Sequence, residues 1–255
     1  MSAYMSVVGV VFLFYMLQFG YGQYTQNNSI VDIFWGLGFV IAVWFALFYN
    51  HAFGLSSLLT TLLVTLWGIR LFYHIFKRNH GRPEDFRYVN FRKKWGHSWV
   101  KTKAFFQVYM LQMFMLLVIV SAPVNIILNN HTGWSLYTII GLLVWCLGYY
   151  FEVKADQQLR RFKSDASNKG KILTTGLYKY SRHPNYFGEA TMWWGIYIIG
   201  LDSGGLWYII SPLTITVLLR YFSGVPLLEK HYENNRAYQK YAEKTSIFIP
   251  WFPKK

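Results

Sequence analysis

The stretch that decides the fold is Gly176–Trp194, which reads GLYKYSRHPNYFGEATMWW. It begins as a basic segment rich in turn-forming residues and becomes an apolar helix within a few residues. Pro184 suits the first position of this helix, because the amide donor that proline lacks would have no partner there. Arg182 and His183 stand just before the helix start, where free backbone amides and the helix dipole favour an anion. The sequence therefore predicts a helix whose amino-terminal end binds a phosphate.

Beyond Pro184, three side chains of different chemistry share one face of the predicted helix. Asn185, Glu189 and Trp193 follow each other at intervals of four residues. An ionisable side chain inside a membrane helix is costly and therefore indicates function. One interpretation is a cofactor and substrate site next to the phosphate-binding end of the helix. The other is a basic membrane anchor in which Glu189 is paired with a neighbour, and the helix alone does not decide between them.

The composition is that of a polytopic membrane protein. Hydrophobic residues make up 54% of the 255 residues and charged residues only 14%, against a usual charged share of about 25%. Several apolar runs reach the length of about 17–25 residues that a membrane helix needs. The sequence predicts an all-α fold with about seven transmembrane helices. The predicted spans are residues 4–21, 30–49, 55–76, 104–128, 134–151, 186–200 and 206–222.

The net charge of +14 is concentrated in a few segments of the chain, as is typical of a membrane protein. Residues 1–69 contain no Lys or Arg, whereas basic residues cluster in Lys77–Lys103, Lys154–Arg182 and Arg220–Lys255. Basic connections at alternate loops follow the positive-inside rule, so we expect the amino terminus outside and the carboxyl terminus in the cytoplasm. No nucleic-acid-binding motif accompanies the charge, and no nucleic-acid partner is expected.

We expect a single transmembrane domain over residues 1–255. Its cytoplasmic parts are predicted at residues 77–103 and 154–184, with an interfacial tail at residues 225–255. We expect these basic segments to cover a polar pocket. Such a pocket suits an anionic cofactor that enters from water, together with a lipid that enters from the bilayer. The bacterial inner membrane is the expected location, or the endoplasmic reticulum for a eukaryotic chain.

Several reaction classes lack their motifs. Cys146 is the only cysteine and lies within an apolar run, which disfavours a reactive thiolate. The seven histidines form no HExxH or Cys/His pattern, so no metal is expected. A P-loop and a G-x-S-x-G elbow are both absent from the sequence.

Asp32 is the only carboxylate of residues 1–69. Ser29-Ile30-Val31-Asp32 fits a capping box, in which Asp32 would bond back to the amide of Ser29. The alternative is that Asp32 points into a polar cavity, and the sequence leaves both open.

The long connection that follows the third span mixes arginines, aromatic residues and acids. A loop of this length in a compact domain is more often functional than idle. Arg82, Arg87 and Tyr88 suit contacts with a phosphate and a stacked base. Cytoplasmic charge and membrane anchoring are the alternative interpretation.

Several of these stretches carry a family resemblance. RHPNYFGE (182–189), PLLEK (226–230) and YQKYAEKTSIFIPWFP (238–253) resemble the carboxyl-terminal domain of the steroid 5α-reductase family. GRPEDFRYVNFRKKWG (81–96) and DIFWGLG (32–38) resemble the bacterial branch of that superfamily. Isoprenylcysteine carboxyl methyltransferases and sterol reductases share a similar RHPxY segment.

The resemblance implies a seven-helix membrane reductase that holds NADPH at its cytoplasmic ends, within residues 77–103 and 154–184. It implies cofactor contacts for Asp156, Arg160, Lys163, Asn185 and Arg220, and for Arg82 in its Gly-Arg-Pro turn. Glu189 and Trp193 match an acid and a tryptophan of the cofactor and substrate cavity. Trp35 of the DIFWGLG stretch is a further predicted substrate contact.

In that family a Glu and a Tyr polarise the carbonyl of the substrate. Asp32 stands at the matching place of the second span, and Tyr73 is the next candidate for the proton donor. The implied reaction is hydride transfer from NADPH to a conjugated carbonyl or polarised double bond of a steroid- or isoprenoid-like lipid. One alternative is an S-adenosylmethionine-dependent membrane methyltransferase, whose paired acids would be half present as Glu229. The other is a non-catalytic lipid-binding protein.

Overall fold

The computed structural model describes residues 3–254, and these form helices and connecting segments with no strand. The all-helical prediction is confirmed for these residues. The chain divides into two compact units. Unit 1 comprises the residues up to Trp134 together with Ser203–Gly205, and unit 2 comprises Ser135–Asp202 and the residues from Leu206 onward.

Unit 1 is built from long apolar helices joined by short turns, with one longer helical connection. Its helices are α1 (Ala3–Tyr24), α2 (Ile30–Tyr49), α3 (Leu55–Asn79), α4 (Phe86–Trp95), α5 (Val100–Ala104) and α6 (Leu111–Asn129). A π-helical segment, Phe105–Met110, joins α5 to α6. The long loop expected after the third span therefore contains the two short helices α4 and α5.

Unit 2 begins with the longest helix of the chain. Its helices are α7 (Leu136–Ser164), α8 (Pro184–Ile199), α9 (Ile210–Val217), α10 (Val225–Tyr232) and α11 (Arg236–Lys244). A 3₁₀ turn, Leu206–Ile209, precedes α9, and a π-helical turn, Leu218–Phe222, follows it. The interfacial tail expected at residues 225–255 contains the two short helices α10 and α11.

Six helical stretches within the described residues are long and apolar enough to cross a membrane. They are Ala3–Tyr24, Ile30–Tyr49, Leu55–Asn79, Val100–Asn129, Leu136–Ser164 and Leu206–Tyr232. The sixth predicted span, residues 186–200, corresponds to α8, which has 16 residues and is shorter than the usual length of about 17–25. These helices are those of a multi-pass membrane protein, whereas the orientation of the termini stays a prediction.

Paired glycines let the helices of each unit approach closely. In unit 1, a Cβ on Gly36 of α2 would lie 2.5 Å from the carbonyl oxygen of Gly68 on α3. In unit 2, a Cβ on Gly148 of α7 would lie 2.5 Å from the carbonyl oxygen of Gly188 on α8. Small residues at such crossings bring the backbones together where lipid gives little hydrophobic drive for helix association. In this way α8 is held against α7, and the position of its amino-terminal end is fixed.

The turn before α8 is fastened by the carboxyl-terminal tail. The hydroxyl of Ser181 donates to the carbonyl of Phe248 at 2.7 Å, and the amide of Arg182 donates to the carbonyl of Ser246 at 2.8 Å. The hydroxyl of Tyr241 donates to the carbonyl of Tyr178. Buried backbone groups of the turn thereby find partners, as folding requires. The RHPN segment therefore has one defined backbone path.

Candidate functional site

A cavity of about 470 Å³ lies in unit 2, around the residues that precede α8. The end of α7 and the segment that follows it form one wall, and α10 and α11 form another. Four basic side chains line the cavity together with one carboxylate, that of Asp165. The basic residues are Lys163, Lys169, Lys171 and Arg182, and the tyrosines of the lining are Tyr178, Tyr232, Tyr238 and Tyr241. This lining suits an anionic ligand that also carries a flat, polar ring.

Glu229 of α10 connects three lining residues of the cavity. Its carboxylate accepts hydrogen bonds from Arg182 Nη1 at 2.6 Å and from the phenol of Tyr238. His183 Nε2 lies 2.7 Å from Glu229 Oε1, the oxygen that also accepts from Tyr238. The His183 ring is 3% exposed, so it is held between Glu229 and the stacked ring of Tyr186. These four side chains, Arg182, His183, Glu229 and Tyr238, are called the Glu229 network below.

Arg182 has hydrogen-bonding capacity that the described residues do not use. Its Nη1 atom pairs with Glu229, whereas its Nε atom is buried and has no hydrogen-bond partner in the described structure. A buried donor without a partner costs free energy, and such donors are rare in folded proteins. An anion in the cavity that Arg182 lines would supply the missing acceptor.

The first turn of α8 follows the sequence prediction. Pro184 occupies the first helical position, and His183 is the residue before it. Asn185 lines the cavity, and its amide nitrogen donates to Asp156 Oδ1 on α7 at 3.3 Å. Glu189 and Trp193 lie further along α8 and are buried. The structure therefore brings Asn185, Arg182 and His183 together at the cavity, with Asp156 behind Asn185.

The predicted cofactor residues of unit 2 fall into two groups. Lys163, Arg182, His183 and Asn185 line the cavity. Arg160 and Arg220 are absent from its lining; Arg160 is exposed, and the guanidinium of Arg220 lies 4.8 Å above the ring of Tyr221.

Two tyrosines of the cavity, Tyr178 and Tyr238, have raised pKa values. Burial raises the pKa of Tyr178, and the negative charge of Asp156 raises it further. Burial also raises the pKa of Tyr238, and its hydrogen bond to Glu229 acts in the same direction. Tyr178 can therefore donate a hydrogen bond to a ligand, whereas the hydroxyl hydrogen of Tyr238 goes to Glu229.

Unit 1 contains a second network, in which Asp32 of α2 is the acceptor. Arg87 Nη2 donates to Asp32 Oδ2 at 2.6 Å, and the Tyr88 hydroxyl donates to Asp32 Oδ1 at 2.7 Å. The amide nitrogen of Gln112 on α6 lies 3.2 Å from the Tyr88 hydroxyl and 3.4 Å from Asp32 Oδ1. These four residues, Asp32, Arg87, Tyr88 and Gln112, are called the Asp32 network below. Helices α2, α4 and α6 each contribute to it.

The capping alternative for Asp32 is wrong. Ser29 precedes α2 without a side-chain cap, and its amide donates to Asn27 Oδ1 at 2.9 Å. The hydroxyl of Ser29 accepts instead from the amide of Asp85 at 2.7 Å. Asn27 therefore takes the amide of Ser29 and the loop before α4 takes its hydroxyl, while Asp32 binds Arg87 and Tyr88.

Burial and charge set the protonation of the Asp32 network outside the membrane helices. Burial raises the pKa of Tyr88 well above its usual range, and the charge of Asp32 adds to the effect. For Arg87, burial acts against the charged form, but Asp32 and Asp85 raise the pKa of the guanidinium. Tyr88 is thus a neutral phenol, 4% exposed, that is aligned by a carboxylate.

The remaining predicted residues of unit 1 lie outside this network. Arg82 is exposed in the turn before α4. Tyr73 is 57% exposed on α3, and the ammonium of Lys77 lies 5.9 Å from its ring centre. Trp35 is partly buried against Phe39.

Some residues of the two networks were absent from the sequence predictions. Gln112 lies in a mostly apolar span that also contains Gln107 and Asn125, so its amide alone did not indicate a site. Tyr178 and Tyr238 belong to the quoted motifs but carry no spacing that predicts a shared cavity. No group of three or more His, Cys, Asp or Glu residues suited to a metal occurs in residues 3–254.

Comparisons with known proteins give a family match and several relatives of this chain. A family model described as a protein of unknown function, DUF1295, matches residues 18–245. An uncharacterized protein of Schizosaccharomyces pombe is 27% identical, covering 96% of this chain and 79% of the yeast protein. The 3-oxo-5-alpha-steroid 4-dehydrogenase 1 of Rattus norvegicus is 25% identical over 44% of this chain and 40% of its own length. A steroid 5-alpha-reductase of Gossypium hirsutum is 37% identical over 26% of each chain. No solved structure gives a significant match.

Proposed function

The chain belongs to the DUF1295 family, and from this premise we propose that it is a membrane reductase that uses NADPH to reduce a lipophilic substrate. The expected resemblance to steroid 5α-reductases is confirmed by the rat and cotton relatives. Because the matches to these two proteins cover 40% and 26% of their lengths, their activity comes to this chain as a proposal. The proposed substrate carries a conjugated carbonyl on a steroid- or isoprenoid-like body.

The observation that carries the proposal is the basic, tyrosine-lined cavity of unit 2. Its volume of about 470 Å³ and its four basic side chains fit a phosphate-bearing cofactor. The buried Arg182 Nε atom, which lacks a partner in the described structure, supports an anionic occupant. NADPH, when bound, supplies the hydride for the reduction. A metal is not part of the proposal.

The residues of unit 2 then have separate roles in binding. Arg182 would contact a phosphate, while Glu229 holds its guanidinium from the other side at 2.6 Å. Lys163, Lys169 and Lys171 supply further positive charge along the wall of the cavity. Asn185, fixed by Asp156 at 3.3 Å, would present its amide to the cofactor. Charge-assisted hydrogen bonds of this kind are stronger than neutral ones.

The Asp32 network is the proposed site of substrate polarisation in unit 1. The geometry favours Tyr88 over Tyr73 as the proton donor, because Tyr88 is buried and its hydroxyl lies 2.7 Å from Asp32. Tyr88 would turn its single hydroxyl hydrogen from Asp32 to the carbonyl oxygen of the substrate, on which negative charge develops as the β-carbon accepts hydride. Gln112, which donates to the phenol oxygen at 3.2 Å, would keep the phenol in place, and Arg87 would balance the charge of Asp32.

Turnover with the purified full-length protein tests the proposal. We expect NADPH oxidation in detergent micelles that depends on a steroidal or isoprenoid enone, with the saturated product detected by mass spectrometry. Heat-inactivated protein and the saturated ketones are the controls. Absence of enone reduction, together with transfer of a methyl group from S-adenosylmethionine to a lipid acceptor, would reject it.

A further inference from the structure

The segment that follows α11, residues 246–254, exposes large apolar side chains and is called the tail segment below. Ile249 is 63% exposed, Trp251 71% and Phe252 76%. The backbone that carries them is held in place, because the amide of Trp251 donates to the carbonyl of Tyr180 at 2.9 Å. The ring of Phe252 also packs edge-on against that of Tyr180, with 6.0 Å between the ring centres. Exposed apolar groups that cluster in this way mark interaction sites.

Aromatic contacts place the tail segment level with the end of the apolar part of α7. The ring centre of Phe187 on α8 lies 5.3 Å from that of Phe151 on α7 and 6.2 Å from that of Phe248. Phe151 ends the apolar run of α7, because charged residues begin at Glu152. A helix that crosses a membrane changes from apolar to charged side chains where the lipid meets water. The tail segment is therefore at the depth of this boundary.

The conformation of the tail segment suits the headgroup region of a bilayer and not its hydrocarbon core. Residues 246–254 form neither helix nor strand, and an irregular backbone that faces hydrocarbon leaves polar groups without partners. Tryptophan is favoured at the level of the headgroups, where apolar and polar surroundings meet. In that position Trp251 and Phe252 leave water while the backbone stays in contact with it.

Basic side chains lie beside the exposed apolar group. Arg236, Lys240 and Lys244 follow each other at intervals of four residues and are exposed on α11, whose one carboxylate is Glu243. The amide of Lys254 donates to the carbonyl of Lys244 at 2.9 Å, so this basic row ends next to the tail segment. The stem of a lysine can cover apolar surface while its ammonium reaches outward. The excess of positive charge complements the phosphate of an anionic lipid.

We propose that the tail segment docks on the anionic surface of the bilayer that α7 enters. Ile249, Trp251 and Phe252 lie between the lipid headgroups, and Lys240 and Lys244 bind the phosphates of those headgroups. The partner is the anionic phospholipid of this bilayer.

Docking of the tail segment fixes the turn that carries basic groups of the unit 2 cavity. The hydroxyl of Ser181 donates to the carbonyl of Phe248, and the amide of Arg182 donates to the carbonyl of Ser246. Arg182 and the adjacent His183 line the cavity. Through these backbone bonds, the bilayer surface holds the cavity wall in place. The docking stands by itself, whereas its consequence for the cofactor rests on the proposed function.

A fluorescent label on the tail segment tests the docking without any cofactor. Cys146→Ser removes the one cysteine of the chain, and Phe252→Cys then provides a single site for an environment-sensitive dye. In nanodiscs of phosphatidylcholine and phosphatidylglycerol that hold one copy of the full-length protein, lipids with a nitroxide near the headgroup should quench this dye strongly. Ser167→Cys is the matched control, because it follows the part of α7 that extends from Phe151 to Ser164, about 20 Å further along the helix.

Two outcomes of the labelling experiment would overturn the proposal. One is quenching at the tail segment that is no stronger than at the control position. The other is a dye that is shielded only when two copies of the chain, or a second protein, are present.

Hydrogen exchange tests the role of charge and the effect on the turn. Lys240→Gln combined with Lys244→Gln, or replacement of the phosphatidylglycerol by phosphatidylcholine, should speed exchange of the Arg182 amide. The expected change is about fivefold or more, the contribution of one lysine at an anionic surface. Lys93→Gln combined with Lys94→Gln removes the same charge from exposed residues of α4 and should leave this exchange unchanged. Exchange that depends neither on the lipid charge nor on the two lysines of α11 would overturn the proposal.

The outcome is distinguishable from failure of the proposed function. If the tail segment is docked and anionic lipid protects the Arg182 amide, but NADPH does not bind, the docking stands and the reductase proposal fails. If NADPH binds and enones are reduced while the dye on the tail segment stays outside the bilayer, the reductase proposal stands and this inference fails.

Discussion

The Asp32 network of unit 1 and the Glu229 network of unit 2 use the same chemistry in different surroundings. In each, one carboxylate accepts hydrogen bonds from an arginine and a tyrosine, and a third polar side chain completes the set. Asp32 belongs to an apolar helix that is long enough to span a membrane, and Asp32 and Gln112 both bond to the buried phenol of Tyr88. The partners of Glu229 line a cavity with surplus positive charge.

Under the proposed function, the same arrangement would serve two purposes. In unit 1 the carboxylate would orient a neutral phenol, Tyr88, as the proton donor for a lipophilic substrate. In unit 2 the carboxylate holds basic groups, Arg182 and His183, beside a space that suits an anion. Variants in the two networks should therefore affect different steps, substrate turnover for unit 1 and cofactor affinity for unit 2.

The largest expected effect comes from the proposed proton donor. Tyr88→Phe should lower turnover by about 100- to 10,000-fold, the usual contribution of a general acid. NADPH affinity should change by less than about twofold, since hydrogen bonding within a separate network is untouched. Initial rates of enone reduction and NADPH fluorescence titrations measure the two quantities. Tyr73→Phe distinguishes the two candidate tyrosines, and a loss found with it instead of Tyr88→Phe would contradict the assignment.

A smaller loss is expected from the residue that aligns the phenol. Asp32→Asn keeps the shape of the side chain but weakens the bonds from Arg87 and Tyr88. Hydrogen bonds to a charged group contribute about 1.5–3 kcal/mol, so turnover should fall by about ten- to a hundredfold. Thermal unfolding must be recorded beside the rates, because a misfolded variant would also lose activity. Full activity in a stable Asp32→Asn protein would remove Asp32 from the mechanism.

In unit 2 the comparison predicts an effect on the cofactor. Glu229→Leu should weaken NADPH affinity by about tenfold, because Arg182 and His183 lose their common acceptor, and a lost charged hydrogen bond costs about 1.5–3 kcal/mol. Glu229→Gln keeps an acceptor oxygen and should show a milder loss. Isothermal titration of both variants in detergent measures the affinities. Unchanged affinity in the leucine variant would mean that the network does not organise the cavity.

The smallest predicted effect is a pH dependence in unit 1. Burial opposes the charged form of Asp85, but the hydrogen bonds from Arg87 prevail and lower the pKa of Asp85. A depressed carboxyl pKa stabilises the fold above the unfolded value of about 4, and this stabilisation is lost as the pH falls below it. Because Asp85 is partly exposed, the contribution should stay below about 1 kcal/mol. Asp85→Asn should reduce the loss of stability between about pH 5 and pH 3, measured by thermal unfolding, and an identical acid profile would contradict this origin.

The sequence was most informative where the determinants of structure are local. Pro184 predicted the start of α8, because proline restricts the backbone by itself. The predicted bounds of this span, residues 186–200, lie within two residues of those of α8, but its 16 residues are fewer than the usual length of a membrane span. Basic and aromatic motifs likewise indicated the segments that surround the cavity of unit 2.

Partners that are distant in the chain were beyond such reasoning. Asp32 and Tyr88 are separated by 56 residues, and Arg182 and Glu229 by 47. Local patterns predicted a capping box for Asp32 and an anion site at Arg182. Only the packing of the helices shows that Arg87 and Tyr88 bind Asp32 and that Glu229 binds Arg182.

Equilibrium binding of NADPH to the purified full-length protein tests the central claim most directly. The account predicts saturable binding that quenches or shifts nicotinamide fluorescence. It also predicts that Arg182→Gln weakens this binding by about tenfold, since Arg182 loses its charge toward the proposed phosphate. S-adenosylmethionine, as the competitor, should leave the NADPH signal unchanged. No measurable NADPH affinity in a folded preparation, or displacement by S-adenosylmethionine, would contradict the account.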